Sequence, residues 1–411
     1  MFDIQWGVVM LIIIKTIFYL CLFIIFWAMV GYSSSMKIIS KFYKKRRLVK
    51  DYSYQPSVTI MVVAHNEEKV IGEKLENLTK VDYPKDKMEI LVSSDNSTDR
   101  TNSIVKDFIN ANPEFNIRLY EVKKRMGKTN AQNEAQKTVE SKILIMTDAN
   151  SMFKENAVRE LVAAFAEKDV SYVCGRLIIV NKDSNDIANL ESTYWDSDTK
   201  LRELESNIQT ITAGNGAIYA CRNSEYYDFD PIRCHDINMP RYYALENRRA
   251  LFNPDAIAYE KAGEVIEDEF KRKVRMNRNL LRSIVPDIRV INFFKYKWYS
   301  YFYFGHRTCR YLLWITHLLV LIMNSLLIGQ SWFYNVTFAG QVLFYLLALL
   351  KAISKIDNKF KESALKLLKN QMMYRILKKY IIQQWNEMRQ TSTITLMMTT
   401  LINVCNYLKR T

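Results

Sequence analysis

Residues 57–148 contain four short apolar runs, SVTIMVV, MEILVSS, NIRLYEV and KILIMTD, separated by longer stretches whose apolar residues recur at helical spacing. No other feature constrains the fold so tightly. Runs of this length, rich in β-branched residues, read as strands buried on both faces, and a helix between consecutive strands is long enough for a parallel crossover. The predicted helices are 67–79, 99–112 and 129–139. The fold class expected is α/β, a mostly parallel sheet covered by helices on both faces. Such sheets bind ligands beyond the carboxyl ends of their strands. The exits there are Ala64-His65-Asn66-Glu67, Ser94-Asp95-Asn96 and Asp148-Ala149-Asn150. Taken singly, NSTD and NEE also read as a helix cap and a first helical turn. Three acid-bearing exits on one edge read as a site. RMGK (residues 125–128) is a basic loop opening a helix near that edge, suited to an anion.

The ends of the chain have a different character. Gly7 to Gly31 is nearly all apolar and long enough to span a bilayer. The segment Lys37 to Lys50 that follows is densely basic, which places this end on the cytoplasmic side. Residues 311–330 and 332–350 read as a transmembrane hairpin, and FFKYKWYSYFYFGHRTCRY before them as an aromatic helix at the membrane surface. Residues 365–388 read as an interfacial amphipathic helix, and 391–408 as either a fourth span or a packed segment. The expected organisation is an anchor and basic linker (1–50), a catalytic domain (51–292), an aromatic interfacial helix (293–310), a hairpin (311–352) and a cytoplasmic segment (353–411). A net charge of +15 and a pI near 9.3 would suit nucleic acid in a soluble chain. Here the basic residues lie beside apolar spans, so the expected partners are membrane lipids and no nucleic acid is expected. The six Cys are scattered, without metal-ligand spacing, and read as reduced thiols.

The segments VTIMVVAHNEEKVI, YPKDKMEILVSSDNSTDRT, RMGKTNAQNEA, ILIMTDANS, VCGRLIIVN, GNGAIYACR and EDEFKRKVRM occur in the order seen in membrane-associated family 2 glycosyltransferases, which this chain resembles over about residues 57–320. The resemblance implies the GT-A fold, a Rossmann-like nucleotide-diphospho-sugar transferase domain, here flanked by N-terminal and C-terminal transmembrane helices. It also implies a UDP-sugar donor, a divalent metal (Mg2+ or Mn2+) and inversion at the anomeric carbon. Carried over by motif, Ala64 and Glu67 line the nucleoside pocket, Asp95 bonds the uracil or ribose side, and Lys128 lies nearby. Asp148 is the first acid of the D-x-D metal motif, with Asn150 in its third place. Asp236 in CHDINMP takes the place of the general base.

Two departures matter. Polymer-extending members carry Q-x-x-R-W, whereas this chain has RKVRM: Arg275 falls on the motif's Arg and can face the diphosphate, but Met276 replaces the Trp. That weighs against processive synthesis. Asn150 replaces a carboxylate, yet hard cations accept amide oxygens, and Mg2+ often keeps several waters with one or two carboxylates. On the acceptor side, the Gly-rich turn at Gly214, Asn215 and Gly216 lets backbone approach a sugar closely. Tyr194 and Trp195 are candidates to stack on a sugar or to pack on the sheet. His306, Arg307 and Arg310 are candidates to bind a lipid-linked phosphate or to anchor headgroups. The function expected is single-sugar transfer to a lipid-linked, glycan or other membrane-proximal acceptor. The alternatives are a processive polysaccharide synthase that exports its polymer and a non-catalytic nucleotide-sugar-binding scaffold.

Overall fold

The computed structural model describes residues 2–43, 48–180, 186–261 and 287–353, with the side chains of 2–6, 186–195 and 349–353 outside the description. Arg275, Met276 and the segment 354–411, with its amphipathic helix and possible fourth span, lie outside the described residues. Those described divide into two compact units, one of residues 33–261 and 287–307, the other of 2–32 and 308–353.

The first unit is built on an eight-stranded sheet. Its strands are β1 (Val58–Ala64), β2 (Met88–Ser94), β3 (Ile117–Glu121), β4 (Ile143–Asp148), β5 (Met152–Phe153), β6 (Val170–Ile179), β7 (Tyr219–Arg222) and β8 (Arg249–Glu260), in the order β3-β2-β1-β4-β7-β6-β8-β5. The four strands expected from the apolar runs form the parallel half. β1 is buried along its whole length because both its faces are covered. Val58, Ile60, Val62 and Ala64 join one core with α3 (Ile71–Thr79), α4 (Thr101–Ala111) and α6 (Ala157–Ala163); Met61 and Val63 join another with α5 (Lys128–Gln136) and α8 (His235–Leu245). Each buried aliphatic side chain contributes roughly 1.5–3 kcal/mol. The other half is mixed: β7 is antiparallel to both β4 and β6, and β8 is parallel to β6. A long helix, α7 (Asp186–Ile208), leads from β6 towards β7.

The register fixes the site. Ala64 pairs with Ser94 and Val63 with Asp148, so three of the predicted strand exits leave the sheet at one level.

The expected interfacial helix at 293–310 is interrupted. Two short helices, α9 (Phe293–Tyr296) and α10 (Trp298–Phe302), meet at Lys297, whose φ of 53° breaks the run. A π-turn at Tyr303–Thr308 then leads into α11 (Cys309–Leu326).

In the second unit, α1 (Phe2–Phe26) packs on α11 through Phe18, Cys21, Val320 and Leu327, and α12 (Trp332–Ile353) adds Tyr334. Among the described residues, two continuous helices are long and apolar enough to cross a membrane, Gly7–Phe42 and Trp298–Leu326. The first runs beyond the expected end at Gly31 into α2 (Tyr32–Phe42) through a π-turn.

Candidate active site

The exits of β1 and β2 are laced together. Asn66 and Asn96 adopt φ of 56° and 53°, a left-handed conformation that Asn tolerates better than most residues. The Asn66 side chain accepts from the Thr98 amide at 2.8 Å, and the Glu67 amide donates to Thr101 Oγ1 at 2.8 Å. Glu67 is half-buried, and its carboxyl is pushed up by burial first, then by Asp148 and Asp99. Ala64 is buried, with its carbonyl accepting from the Asp95 amide at 2.9 Å.

Asp95 was expected to face a nucleoside. In the structure it is 3% exposed, and its two oxygens accept from the amides of Met126 (3.2 Å) and Gly127 (2.9 Å). It therefore shapes the RMGK loop. Gly127 takes φ 98°, which an L side chain rarely adopts, and this turn starts α5 at Lys128.

Lys128 is the hub. Its ammonium pairs with Asp148 and lies 3.5 Å from the Gly216 carbonyl. Burial pulls its pKa down, but Asp148 and Asp236 more than offset this, so it stays above the usual lysine value. A Cβ on Gly216 would stand 2.9 Å from Lys128 Nζ, 3.3 Å from Asp148 Oδ2 and 3.7 Å from Asp236 Oδ2. Two carboxylates and an ammonium, from β4, α8 and α5, thus converge on one α-carbon. Asp236 sits in the first turn of α8, where its own carbonyl accepts from the Gly214 amide at 2.8 Å. Burial raises the pKa of its carboxyl and Asp148 adds to the rise, while Lys128 and Arg202 oppose it. A carboxylate raised in this way is a better proton acceptor.

Among the described residues, no three His, Cys, Asp or Glu side chains form a metal cluster. The donors at this edge are Asp148, whose side chain is 33% exposed, and Asn150. Asn150 Nδ2 donates to Glu260 Oε1 at 3.1 Å, which leaves the amide oxygen as its free pole, and Ser151 Oγ donates to Glu260 Oε2 at 3.1 Å. This set fits a hard divalent ion that takes its other ligands from water and phosphate. Nothing in the motif's spacing pointed to Glu260, which lies 110 residues further along the chain.

The glycine turn splits into two roles. Asn215 is buried and its side chain is taken up inside the turn: its amide donates to the Gly175 carbonyl at 2.8 Å and its oxygen accepts from Ala217 and Ile218. A Cβ on Gly214 would lie 2.0 Å from the hydroxyl of the buried Tyr172. Gly214→Ala is therefore expected to destabilise the fold by about 1–3 kcal/mol through overpacking. Gly216→Ala meets mainly the flexible end of Lys128, so it should leave the melting temperature unchanged. Its methyl group would fill the point of convergence and lower kcat/KM by about 10- to 100-fold. Thermal melts and initial rates on the two variants check this contrast.

His306 and Arg307 correct an expectation. They were candidates for a membrane-surface phosphate site, but both are buried, His306 at 1% exposure. His306 Nδ1 meets Glu205 at 2.6 Å and Nε2 meets Asp198 at 2.9 Å, and Asp198 also pairs with Arg202. Asp198 and Glu205, seven apart on α7, share a helix face and supply the partners that draw the basic segment inward. Burial pushes Asp198 up, yet Arg202 and His306 hold its carboxyl well below the usual range. Arg307 Nε donates to Thr212 at 3.1 Å, so this array backs the glycine turn from behind. Arg310 is half-buried and belongs to the other unit. Trp195 lies on α7 with its side chain outside the described residues.

Residues 59–225 match the model of Glycosyl transferase family 2. A beta-monoglucosyldiacylglycerol synthase of Synechocystis sp. is 32% identical over 163 residues, 40% of this chain and 33% of that protein. The chain thus spans about a third of the length of that relative. A poly-beta-1,6-N-acetyl-D-glucosamine synthase of Staphylococcus epidermidis is 26% identical over 66% of this chain and 67% of its own. Among solved structures, a mannosyltransferase of Pyrobaculum calidifontis, in complex with GDP-Man and Mn2+, superposes with a TM-score of 0.63 at 19% identity, covering 92% of this chain and 98% of that one. The family match thus makes residues 59–225 a Glycosyl transferase family 2 domain, and the likeness in fold, with the parallel β3-β2-β1-β4 half-sheet, gives it the GT-A fold.

Proposed function

We propose that the protein is a membrane-anchored inverting glycosyltransferase, moving one sugar from a UDP-sugar to a lipid-linked or other membrane-proximal acceptor in cell-envelope or exopolysaccharide synthesis. The observation that carries this reading is the convergence of Lys128, Asp148 and Asp236 on Gly216. Asp236 takes the proton of the acceptor hydroxyl as that oxygen bonds to the anomeric carbon. The bond from this carbon to the diphosphate oxygen breaks, and its electron pair leaves with UDP. A single displacement inverts the centre and needs one base, unlike glycoside hydrolysis with its two carboxylates. Lys128 neutralises charge developing on the leaving diphosphate. Mg2+ or Mn2+ held by Asp148 and the amide oxygen of Asn150 would, when bound, supply Lewis-acid neutralisation there. Ala64 and Glu67 border the nucleoside, and Asp95 acts on it through the 125–128 loop.

A lipid acceptor is supported by the two apolar helices and by the relative named for monoglucosyldiacylglycerol synthesis. Membranes carrying the protein should be given labelled UDP-glucose, UDP-galactose, UDP-N-acetylglucosamine, UDP-glucuronate and GDP-mannose, each with Mg2+ or Mn2+. One UDP-sugar is expected to label a solvent-extractable product bearing a single added sugar. A ladder of long products would favour polymer synthesis instead. UDP binding without transfer from any donor would leave only the non-catalytic scaffold.

A further inference from the structure

Lys74 is 0% exposed, an unusual burial for a lysine. It lies on α3, on the inner side of the turn that carries Asp148 and Asn150. Its ammonium donates to Thr147 Oγ1 at 3.0 Å and to the Ser151 carbonyl, and it stands 4.1 Å from the centroid of the Phe153 ring. Thr147 and Ser151 bracket Asp148-Ala149-Asn150. Thr147 Oγ1 in turn donates to the carbonyl of Ala217 at 2.8 Å, next to Gly216. One turn further along α3, Asn77 bonds both the amide (2.7 Å) and the carbonyl (2.8 Å) of Phe153. The segment 147–153 is therefore clamped from beneath by one helix, and the same ammonium reaches the glycine turn through Thr147. Burial draws its pKa down to about 7, while Asp148 and Glu260 oppose the fall.

We propose that Lys74 is a positioning residue for sugar transfer: its buried amino group, bonded to Thr147 and Ser151, holds the Asp148–Asn150 turn and the Gly216 turn in one geometry behind the diphosphate and metal site. This inference rests on the proposed function. A lysine that merely fills the core would be replaceable by an apolar side chain of similar length, since burying a charge is itself costly.

The test is Lys74→Met in the full-length protein, beside Thr147→Val, which removes the hydroxyl relay at nearly constant volume. For Lys74→Met the melting temperature is expected to stay near native. UDP affinity without metal should change less than threefold, and the gain in UDP affinity on adding Mn2+ should shrink about tenfold, in line with losses seen when supports of metal ligands are removed. The value of kcat should fall about 10- to 100-fold, with KM changed far less. Thr147→Val should show the same pattern, three- to tenfold in each quantity. Native Mn2+ titration and native kcat in a folded Lys74→Met protein would overturn the proposal. If Lys74→Met does not fold, native values in Thr147→Val would do the same. The calorimetric titration with UDP and Mn2+ is scored even where no donor transfers, so failure of this inference is separable from failure of the proposed function.

Discussion

Replacing Asp236 by Asn is expected to lower kcat by about 10²- to 10⁴-fold, the range attributable to a positioned general base. The change keeps size and shape. It also keeps the backbone bond from the Gly214 amide to the Asp236 carbonyl, because that bond does not involve the side chain. In the proposed mechanism, what is lost is the capacity to accept a proton from the attacking hydroxyl. UDP binding should persist, since Lys128 and Asp148 remain in place. The native enzyme should also show an acid limb in kcat/KM above the ordinary carboxylate range. The direction follows from the site: burial and Asp148 raise the pKa of Asp236 against Lys128 and Arg202, so the base is protonated and silenced at a higher pH than a free carboxylate. In the Asn variant this limb should vanish from the residual rate. Initial rates with a labelled donor across pH, with calorimetry for UDP, check both statements. Unchanged turnover would remove Asp236 from the role of base.

Much of the parallel half-sheet was legible in the sequence because a strand buried on both faces must be apolar throughout, and the helices between must cover it. β1, β2 and β4 end close to where their apolar runs end, and their register pairs Ala64 with Ser94 and Val63 with Asp148. The mixed half was less legible, because short β7 and long β8 carry no comparable pattern. Among the candidate site residues, Asp148, Lys128 and Asp236 lie together around Gly216. The Asn215 side chain is instead consumed by the turn itself.

Lys74 does not stand out in the sequence, because α3 opens in a strongly charged stretch, NEEKVIGEK, that reads as a solvated face. The signal was present nonetheless. Ile71, Lys74, Leu75 and Leu78 fall at i, i+3, i+4 and i+7, so the lysine stands on the apolar stripe. His306 is deceptive for the converse reason. Its aromatic and basic neighbours resemble a membrane border, and the acids that capture it are about a hundred residues earlier, on α7.

The second large effect is expected at the strand exit itself. Asp148→Ala should lower kcat by at least about 10²-fold, the scale for removing one electrostatic element of a transition state. It should also abolish the metal dependence of UDP binding, since it removes the only carboxylate of the D-x-N motif and strands Lys128 without its partner. Asn150 behaves differently, and Glu260 explains why. The Asn150 amide donates to Glu260, so its oxygen faces outward as a neutral donor. In Asn150→Asp that contact becomes a carboxylate facing a carboxylate, which works against any gain in metal affinity. Activity should be retained within about tenfold, with little tightening of Mn2+ binding. The double variant Asn150→Asp with Glu260→Ala should bind Mn2+ more tightly than either single variant, because the repulsion is gone and the added charge is free to face the ion. Glu260→Ala alone should weaken metal binding by about 10- to 100-fold, as loss of the group that orients a ligand commonly does. Mn2+ titrations of UDP affinity across this four-member cycle measure the coupling directly. Additive effects at the two positions would show that Glu260 does not set the orientation of Asn150. An Asn150→Asp protein with metal-dependent transfer that the native chain lacks would mean the native site is a binding scaffold whose one missing carboxylate had disabled it.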